Sequence, residues 1–122
     1  MKIALLFITL FLQIININCY LIREPDADRS INWKTHGPQR LSWDRVDTDS
    51  KWFTVVLTNQ DRSILPRDIV IDKFVDGTRL NILIWPPRSG FPTGQHFRIN
   101  LVKSANEPNI IYAQSNEFSI TY

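Results

Sequence analysis

Groups that could catalyse a reaction are sparse in this 122-residue chain. Its one cysteine, Cys19, lies in the amino-terminal segment, so residues 20–122 contain no thiol nucleophile and no thiolate metal ligand. The two histidines, His36 and His96, have no metal-ligand spacing to each other or to a carboxylate on a shared helix face. We therefore predict no catalytic residues, no cofactor and no metal site, and a protein that is not an enzyme.

Carboxylates are more numerous, but their arrangement is not diagnostic. Asp44, Asp47 and Asp49 form an acidic cluster in which Asp47 and Asp49 stand at alternate positions, as calcium ligands can, yet the segment lacks the glycine and the closing glutamate of a helix-loop-helix calcium site. A solvated loop between two strands is the favoured interpretation. The sequence has nine aspartates, and nothing singles out two of them as the acid and base of a glycosidase.

Aromatic rings are the stronger candidates for a binding function. Trp52 lies on the strand face opposite Phe53 and is expected to point into solvent together with Thr54. Trp33 is flanked by polar residues in a predicted edge strand or loop. Flat rings near hydroxyl groups suit stacking against sugars, and they suit a protein interface equally well. The alternative, that a neighbouring loop covers the rings, stays open. Trp33 and Trp52 are the candidate ligand-binding residues.

Short β-strands are the elements that would position these rings. After Tyr20 no helical period persists through a window of about eleven residues, whereas period-two alternation recurs between turn residues. The inner faces are predicted to carry Leu41, Trp43, Phe53, Val55, Leu57, Phe97, Ile99, Leu101, Phe118 and Ile120. The outer faces are predicted to carry Trp52, Thr54, Val56, Thr58, His96, Arg98 and Asn100.

Two further local predictions follow from the pattern. Residues 79–85 form the most apolar run, which predicts a central strand covered on both faces and leaves the side of Trp85 undecided. Asp76-Gly77, at the end of the preceding run, is a favoured hairpin pair. Counting the weaker runs, roughly seven or eight short strands are spaced as in a β-sandwich.

Length and charge restrict the class of protein further. A basic residue, an apolar run of about ten residues and a gradual rise in polarity up to Cys19 are typical of a secretory signal peptide over residues 1–19. Residues 20–122 are then a single secreted domain of 122 − 19 = 103 residues, expected to have no disulfide and no membrane anchor. Loss of Lys2 changes the net charge from 14 − 12 = +2 to 13 − 12 = +1, which argues against nucleic acid as a partner.

Six motifs also occur in a characteristic order, at residues 22–25, 33–43, 55–59, 83–86, 92–99 and 115–120. In this order they resemble the N-terminal immunoglobulin-like domain of yeast cell-wall synthesis proteins linked to β-1,6-glucan and killer-toxin resistance, also described as the fungal Ser-Thr-rich, GPI-anchored membrane family. Leu83 stands where that family usually has tryptophan, and no Ser/Thr-rich anchor tail follows. These departures from the family pattern favour a diffusible, stand-alone domain.

The fold that the resemblance implies agrees with the strand pattern: an all-β, immunoglobulin-like or fibronectin-like β-sandwich of about seven strands. Its implied location is extracellular or cell-wall associated. The first functional hypothesis is a non-catalytic structural or polysaccharide-binding module related to cell-wall glucan assembly, with cell-wall polysaccharide as partner. The alternative is a small secreted, effector-like interaction protein that binds another extracellular protein, and a glycosidase is the third hypothesis.

Overall fold

A computed structural model of the chain describes residues 20–46 and 50–122. The predicted signal peptide with Cys19, and the aspartates Asp47 and Asp49, lie outside these ranges. Within them the chain forms nine strands, somewhat more than the pattern predicts. The strands are β1 (Leu21–Glu24), β2 (Trp33–Lys34), β3 (Gln39–Asp44), β4 (Trp52–Asn59), β5 (Ile69–Asp76), β6 (Asn81–Ile84), β7 (Gly94–Ser104), β8 (Glu107–Gln114) and β9 (Phe118–Thr121).

The strands form a small and a large sheet. The small sheet is antiparallel, with the order β1-β3-β6. The large sheet has the order β2-β9-β7-β4-β5, and β8 pairs with the carboxyl-terminal half of β7, beyond the residues that β9 uses. Only β2 and β9 run parallel among the described pairs. One face of each sheet contributes to a shared core, so the predicted two-layer sandwich is confirmed.

The core includes the ten residues that alternation assigns to the inner faces, and all ten of them are buried. At its centre Trp43 of the small sheet meets Phe53 of the large sheet edge to face, with the ring centroids 5.0 Å apart. The indole Nε1–H of Trp43 donates a 2.8 Å hydrogen bond to the carbonyl oxygen of Gly77. The polar atom of this buried ring is therefore satisfied, and the two sheets are joined at the same point.

The predicted central position of residues 79–85 is wrong. β6 lies at an edge of the small sheet, where it pairs only with β3 in the described chain. Ile84 is buried, but Leu83 and Trp85 are 51% and 67% exposed. A continuous apolar run indicates a strand covered on both faces only where a second layer packs on its outer face. Here the outer face of the small sheet carries these side chains in solvent.

The predicted Asp76-Gly77 hairpin is also wrong, because the chain leaves one sheet for the other at this point. A 3-10 turn, Gly77–Arg79, connects β5 to β6, and Asp76 caps it. A two-residue type I′ hairpin needs positive φ at both central residues, and Gly77 is not among the positive-φ glycines of the described chain. Glycine is needed here for another reason: a Cβ would lie 3.1 Å from the carbonyl oxygen of Lys51 and would clash with the Tyr20 ring.

The large sheet buries part of the face that was predicted to be exposed. Thr54, Val56 and Asn100 are all buried. They lie on β4 and β7, which have partner strands on both sides, and Val56 is in register with Val70 on one side and Asn100 on the other. Side chains on adjacent strands stand about 5 Å apart, so those flanking a central strand shield one another from water. Alternation gives the face of a residue, but not its position within the sheet.

Candidate functional site

Two exposed aromatic rings lie together at the β5 edge of the large sheet. Trp52 begins β4 and is 50% exposed, and Phe74 near the end of β5 is 80% exposed. Both rings line the same two surface grooves. We call this pair the aromatic shelf. Large exposed rings that line a common groove form an apolar surface of the kind found at binding sites.

A β-bulge places Phe74 in solvent. Phe53 is in register with Val75 and Val55 with Asp72, so two residues of β5, Lys73 and Phe74, oppose one residue of β4. Phe74 adopts φ of 53°, a left-handed conformation that is costly for a bulky side chain. Bulges of this kind redirect a side chain and interrupt an edge strand. The Phe74 ring is therefore held in solvent by a strained backbone conformation.

The shelf separates two grooves with different linings. One has a volume of about 190 Å³ and carries lysine ammonium groups from both of its walls. The other, about 350 Å³, extends towards β6 and carries carboxylates and a guanidinium. Polar side chains of both charges thus surround the rings, as required to orient a hydroxyl-rich ligand. Besides Trp52, Lys73 and Phe74, the first groove is lined by Phe53, Thr54, Lys103, Ser104, Ala105 and Asn106, and the second by Asp72, Val75, Asp76, Arg79 and Ile82.

Charged groups near the shelf are held in place. The Lys51 ammonium lies 5.5 Å from the centroid of the Trp52 ring, within range of a cation–π interaction. Asp76 accepts hydrogen bonds from the Thr78 hydroxyl at 2.6 Å and the Thr78 backbone N–H at 2.9 Å. These bonds, and then the charges of Lys51 and Arg79, lower the pKa of Asp76. Asp76 therefore stays an ionised acceptor beside the rings in mildly acidic surroundings.

The depressed carboxyl pKa values predict how folding depends on pH. Besides Asp76, Asp68 has a lowered pKa: partial burial raises it, but hydrogen bonds from Thr58 and Arg62 and the charge of Arg62 outweigh that effect. A carboxyl whose pKa is lower in the folded state binds more protons when unfolded, so its contribution to stability is full above the unfolded pKa, 3.8, and is lost as pH falls through the folded pKa. We expect the thermal midpoint to be constant between about pH 5 and 7 and to fall below about pH 4. Asp68→Asn should reduce the size of that acid-induced fall, and an equal fall in the variant would contradict this assignment.

The structure separates the two tryptophans that the sequence offered as ligand-binding candidates. Trp52 is exposed as predicted, but the predicted exposure of Trp33 is wrong, because its side chain is only 1% exposed. Its ring lies 5.5 Å from that of Phe91 and 5.2 Å from that of Phe118, and its Nε1–H donates a 3.0 Å hydrogen bond to the Arg40 carbonyl oxygen. The loop that carries Phe91 covers the ring. Trp33 is a core residue and cannot stack against a ligand.

Phe74 is the site residue that the sequence reasoning missed, although a signal was present. Along β5 it alternates with Asp72 and Asp76, which places it on the polar side of the strand. A phenylalanine between two alternate aspartates faces away from the core, and this pattern alone predicts an exposed ring. The bulge that sets its final orientation leaves no comparable mark in the sequence.

Two other kinds of site are not found in the described parts of the chain. Within residues 20–46 and 50–122 no group of three His, Cys, Asp or Glu side chains could hold a metal ion. Across the same ranges, no helix has both the length and the apolar character needed to cross a membrane.

The packing of a three-stranded and a six-stranded sheet around one core defines an immunoglobulin-like β-sandwich. Residues 24–120 match the family described as the Kre9/KNH-like N-terminal Ig-like domain, and the chain belongs to this family. The resemblance inferred from the six motifs is therefore confirmed. The family is associated with the fungal cell wall or secretion.

One relative is the uncharacterized protein C553.10 of Schizosaccharomyces pombe, which is 30% identical over 89 residues. The match covers 72% of the present chain and 24% of that protein, so the chain spans about a quarter of the length of this relative. No solved structure matches the chain significantly.

Proposed function

We propose that the protein is a secreted, non-catalytic domain of the fungal cell wall that binds wall β-glucan on the aromatic shelf. The observation that carries the proposal is the exposure of Trp52 and Phe74 at the same two grooves, with Phe74 held outward by a strained bulge. Membership of the Kre9/KNH-like family supports the cell wall as the place of action. The apolar amino-terminal run supports secretion.

The chemistry of the shelf suits a sugar polymer. The faces of pyranose rings present C–H groups that pack on aromatic rings, and their edges present hydroxyls that need donors and acceptors. Around the shelf, Lys73 and Asn106 can donate to such hydroxyls, while the carboxyl oxygens of Asp72 and Asp76 can accept from them. Because the grooves are open, a long chain could lie across the shelf without its ends entering a pocket.

Substitution of Trp52 tests the proposal. We expect Trp52→Ala to reduce retention of the purified domain on insoluble β-glucan at least about tenfold, the effect of losing a central aromatic anchor. Trp85→Ala is the matched control, because it also removes an exposed tryptophan, 67% exposed, but from the small sheet. Retention of the control should equal that of the wild type. The proposal would be contradicted if the Trp52 variant were retained as well as the wild type, or if the wild type were not retained on any wall fraction.

A second candidate function is supported by a different surface. Leu83 and Trp85 are exposed on the outer face of the small sheet, away from the shelf, and Arg40 is in register with Leu83. Tryptophan and arginine are enriched at the energetic centres of protein interfaces. The alternative is therefore an extracellular partner protein bound through β6. A complex that survives excess soluble glucan and is lost in Trp85→Ala would establish this function instead.

A further inference from the structure

A groove with polar walls lies at the opposite end of the large sheet from the aromatic shelf. It has a volume of about 450 Å³, in the range of small-ligand sites. We call it the polar groove. Its walls come from the start of β7, the start of β9 and the short 3-10 turn Ala27–Arg29. The side chains that matter for its chemistry are Asp28, Gln95, His96, Arg98, Glu117 and Ser119.

Backbone strain marks this groove as it marks the shelf. His96 adopts φ of 70°, one of four positive-φ residues other than glycine in the described chain. It lies in another bulge, where the register between β7 and β9 shifts between Gly94 and Phe97. Its Nδ1 is 3.3 Å from the Glu117 carboxylate. Strained residues persist where the surrounding structure fixes them, and they concentrate at binding sites.

A hydrogen-bond network holds Arg98 and Asn116, two residues that line the groove, in place. One guanidinium nitrogen of Arg98 donates to the Ser115 carbonyl oxygen at 2.9 Å. The buried Ser115 hydroxyl accepts from the Ile99 backbone N–H and donates to the Asn116 carbonyl oxygen, both at 2.8 Å. The Asn116 amide in turn donates to Asp26 at 3.2 Å. The groups are therefore preorganised, which lowers the entropic cost of binding.

The charges of the groove indicate the class of ligand. His96 and Arg98 offer donors, and Asp28 and Glu117 offer acceptors, within one concave surface. Two carboxylates would repel a phosphate or uronate, and the guanidinium would repel a metal cation. A neutral ligand with many hydroxyls satisfies both kinds of group at once. The polar groove thus suits sugar edges, as the shelf suits sugar faces.

The shelf and the polar groove also share one face of the large sheet. Successive side chains of a strand point to opposite faces. Trp52 is next to the inward Phe53, Arg98 is next to the inward Phe97, and Glu117 is next to the inward Phe118. Trp52, Arg98 and Glu117 therefore all point outward. Asn59 of β4 is in register with Phe97 of β7, and the two strands are antiparallel. His96 is therefore level with the position that follows Asn59, which is eight residues beyond Trp52. At a rise of about 3.3 Å per residue the two sites are roughly 26 Å apart.

We propose that the polar groove is a second subsite for the same glycan chain, so that tight binding requires a chain long enough to reach both sites. The inference rests on the proposed function, because the shelf supplies the first subsite. When one glycan chain is bound at the shelf, its binding at the polar groove is intramolecular and does not cost a second loss of translational freedom. The affinity therefore rises steeply once the chain is long enough to reach both sites. A shorter chain gains nothing from the groove when it occupies the shelf.

The experiment is a calorimetric or fluorescence titration with β-glucan oligomers of increasing length, from the disaccharide upward. The wild type should show a step of at least about tenfold in affinity at the length that spans both sites. His96→Gly and Glu117→Gln should remove the step and leave the affinity for short oligomers unchanged. Glycine suits the positive φ of residue 96, so this variant keeps the backbone while it loses the ring. His36→Ala, an exposed histidine outside both sites, is the control and should keep the step.

The failures of the two proposals are distinguishable. If the wild type binds long and short oligomers equally and Trp52→Ala weakens both, the second subsite is overturned while the shelf stands. A length step that persists in His96→Gly and Glu117→Gln also overturns it. Absence of binding to any oligomer or to insoluble glucan would overturn the proposed function and the subsite with it.

Discussion

Trp33→Ala is expected to lower the free energy of unfolding by about 3–5 kcal/mol, the range for removing a large buried aromatic side chain. The ring is 1% exposed and packs between Phe91 and Phe118, so its loss leaves a cavity joining the β2–β9 pair to the loop that covers them. The hydrogen bond to Arg40 is lost as well. A domain of this size has a total stability of about 5–15 kcal/mol, so the variant should be marginally folded. Urea unfolding followed by tryptophan fluorescence measures the difference.

Trp85→Ala is the matched control for this measurement. Its side chain is 67% exposed, and a substitution at such a position normally changes stability by no more than about 0.5 kcal/mol. The contrast separates a structural tryptophan from a surface one without reference to any ligand. If Trp33→Ala unfolded at the wild-type urea concentration, the packing of the β2 region described above would be incorrect.

The inner faces could be predicted from the sequence because a buried strand must alternate. Phe97, Ile99 and Leu101 occupy every second position of a long run, and only one face of such a strand can be apolar without exposing large hydrophobic groups. Phe118 and Ile120 follow the same rule. The number and spacing of these runs predicted a β-sandwich, because local periodicity can be read from a single sequence. The immunoglobulin-like class was implied by the resemblance of the six motifs to a known family.

Tertiary relationships could not be predicted in this way. Trp33 has polar neighbours in sequence, and only the return of the chain at Phe91 and Phe118 buries it. Conversely, Leu83 belongs to an apolar run but lies on an edge strand with an uncovered outer face, and Trp85, directly after that strand, is exposed as well. Whether a ring is covered depends on residues far away along the chain. The sequence could therefore identify Trp33 and Trp52 as candidate binding residues, but it could not predict which of the two is exposed.

Phe74→Gly is expected to weaken binding to β-glucan at least about tenfold without loss of stability. The ring is 80% exposed and contributes almost nothing to the core, whereas its φ of 53° is unfavourable for an L-residue by about 1–2 kcal/mol. Glycine removes that strain but costs roughly 0.5–1 kcal/mol in backbone entropy. The free energy of unfolding should therefore be unchanged or higher by roughly 1 kcal/mol. Glucan retention and urea unfolding of the same preparations check the two parts.

Phe74→Tyr is the companion variant, since it keeps a flat ring on the same strained backbone and should retain most of the binding. A stable, binding-deficient glycine variant next to a binding-competent tyrosine variant would mean that the strain at residue 74 is retained for ligand contact. If Phe74→Gly instead lost stability, the ring would be supporting the fold, and its exposure would carry no functional meaning. If the variant bound glucan normally, the ligand would not contact the Phe74 half of the shelf. The opposite signs expected for stability and affinity make this substitution more informative than any alanine change in the core, where both quantities fall together.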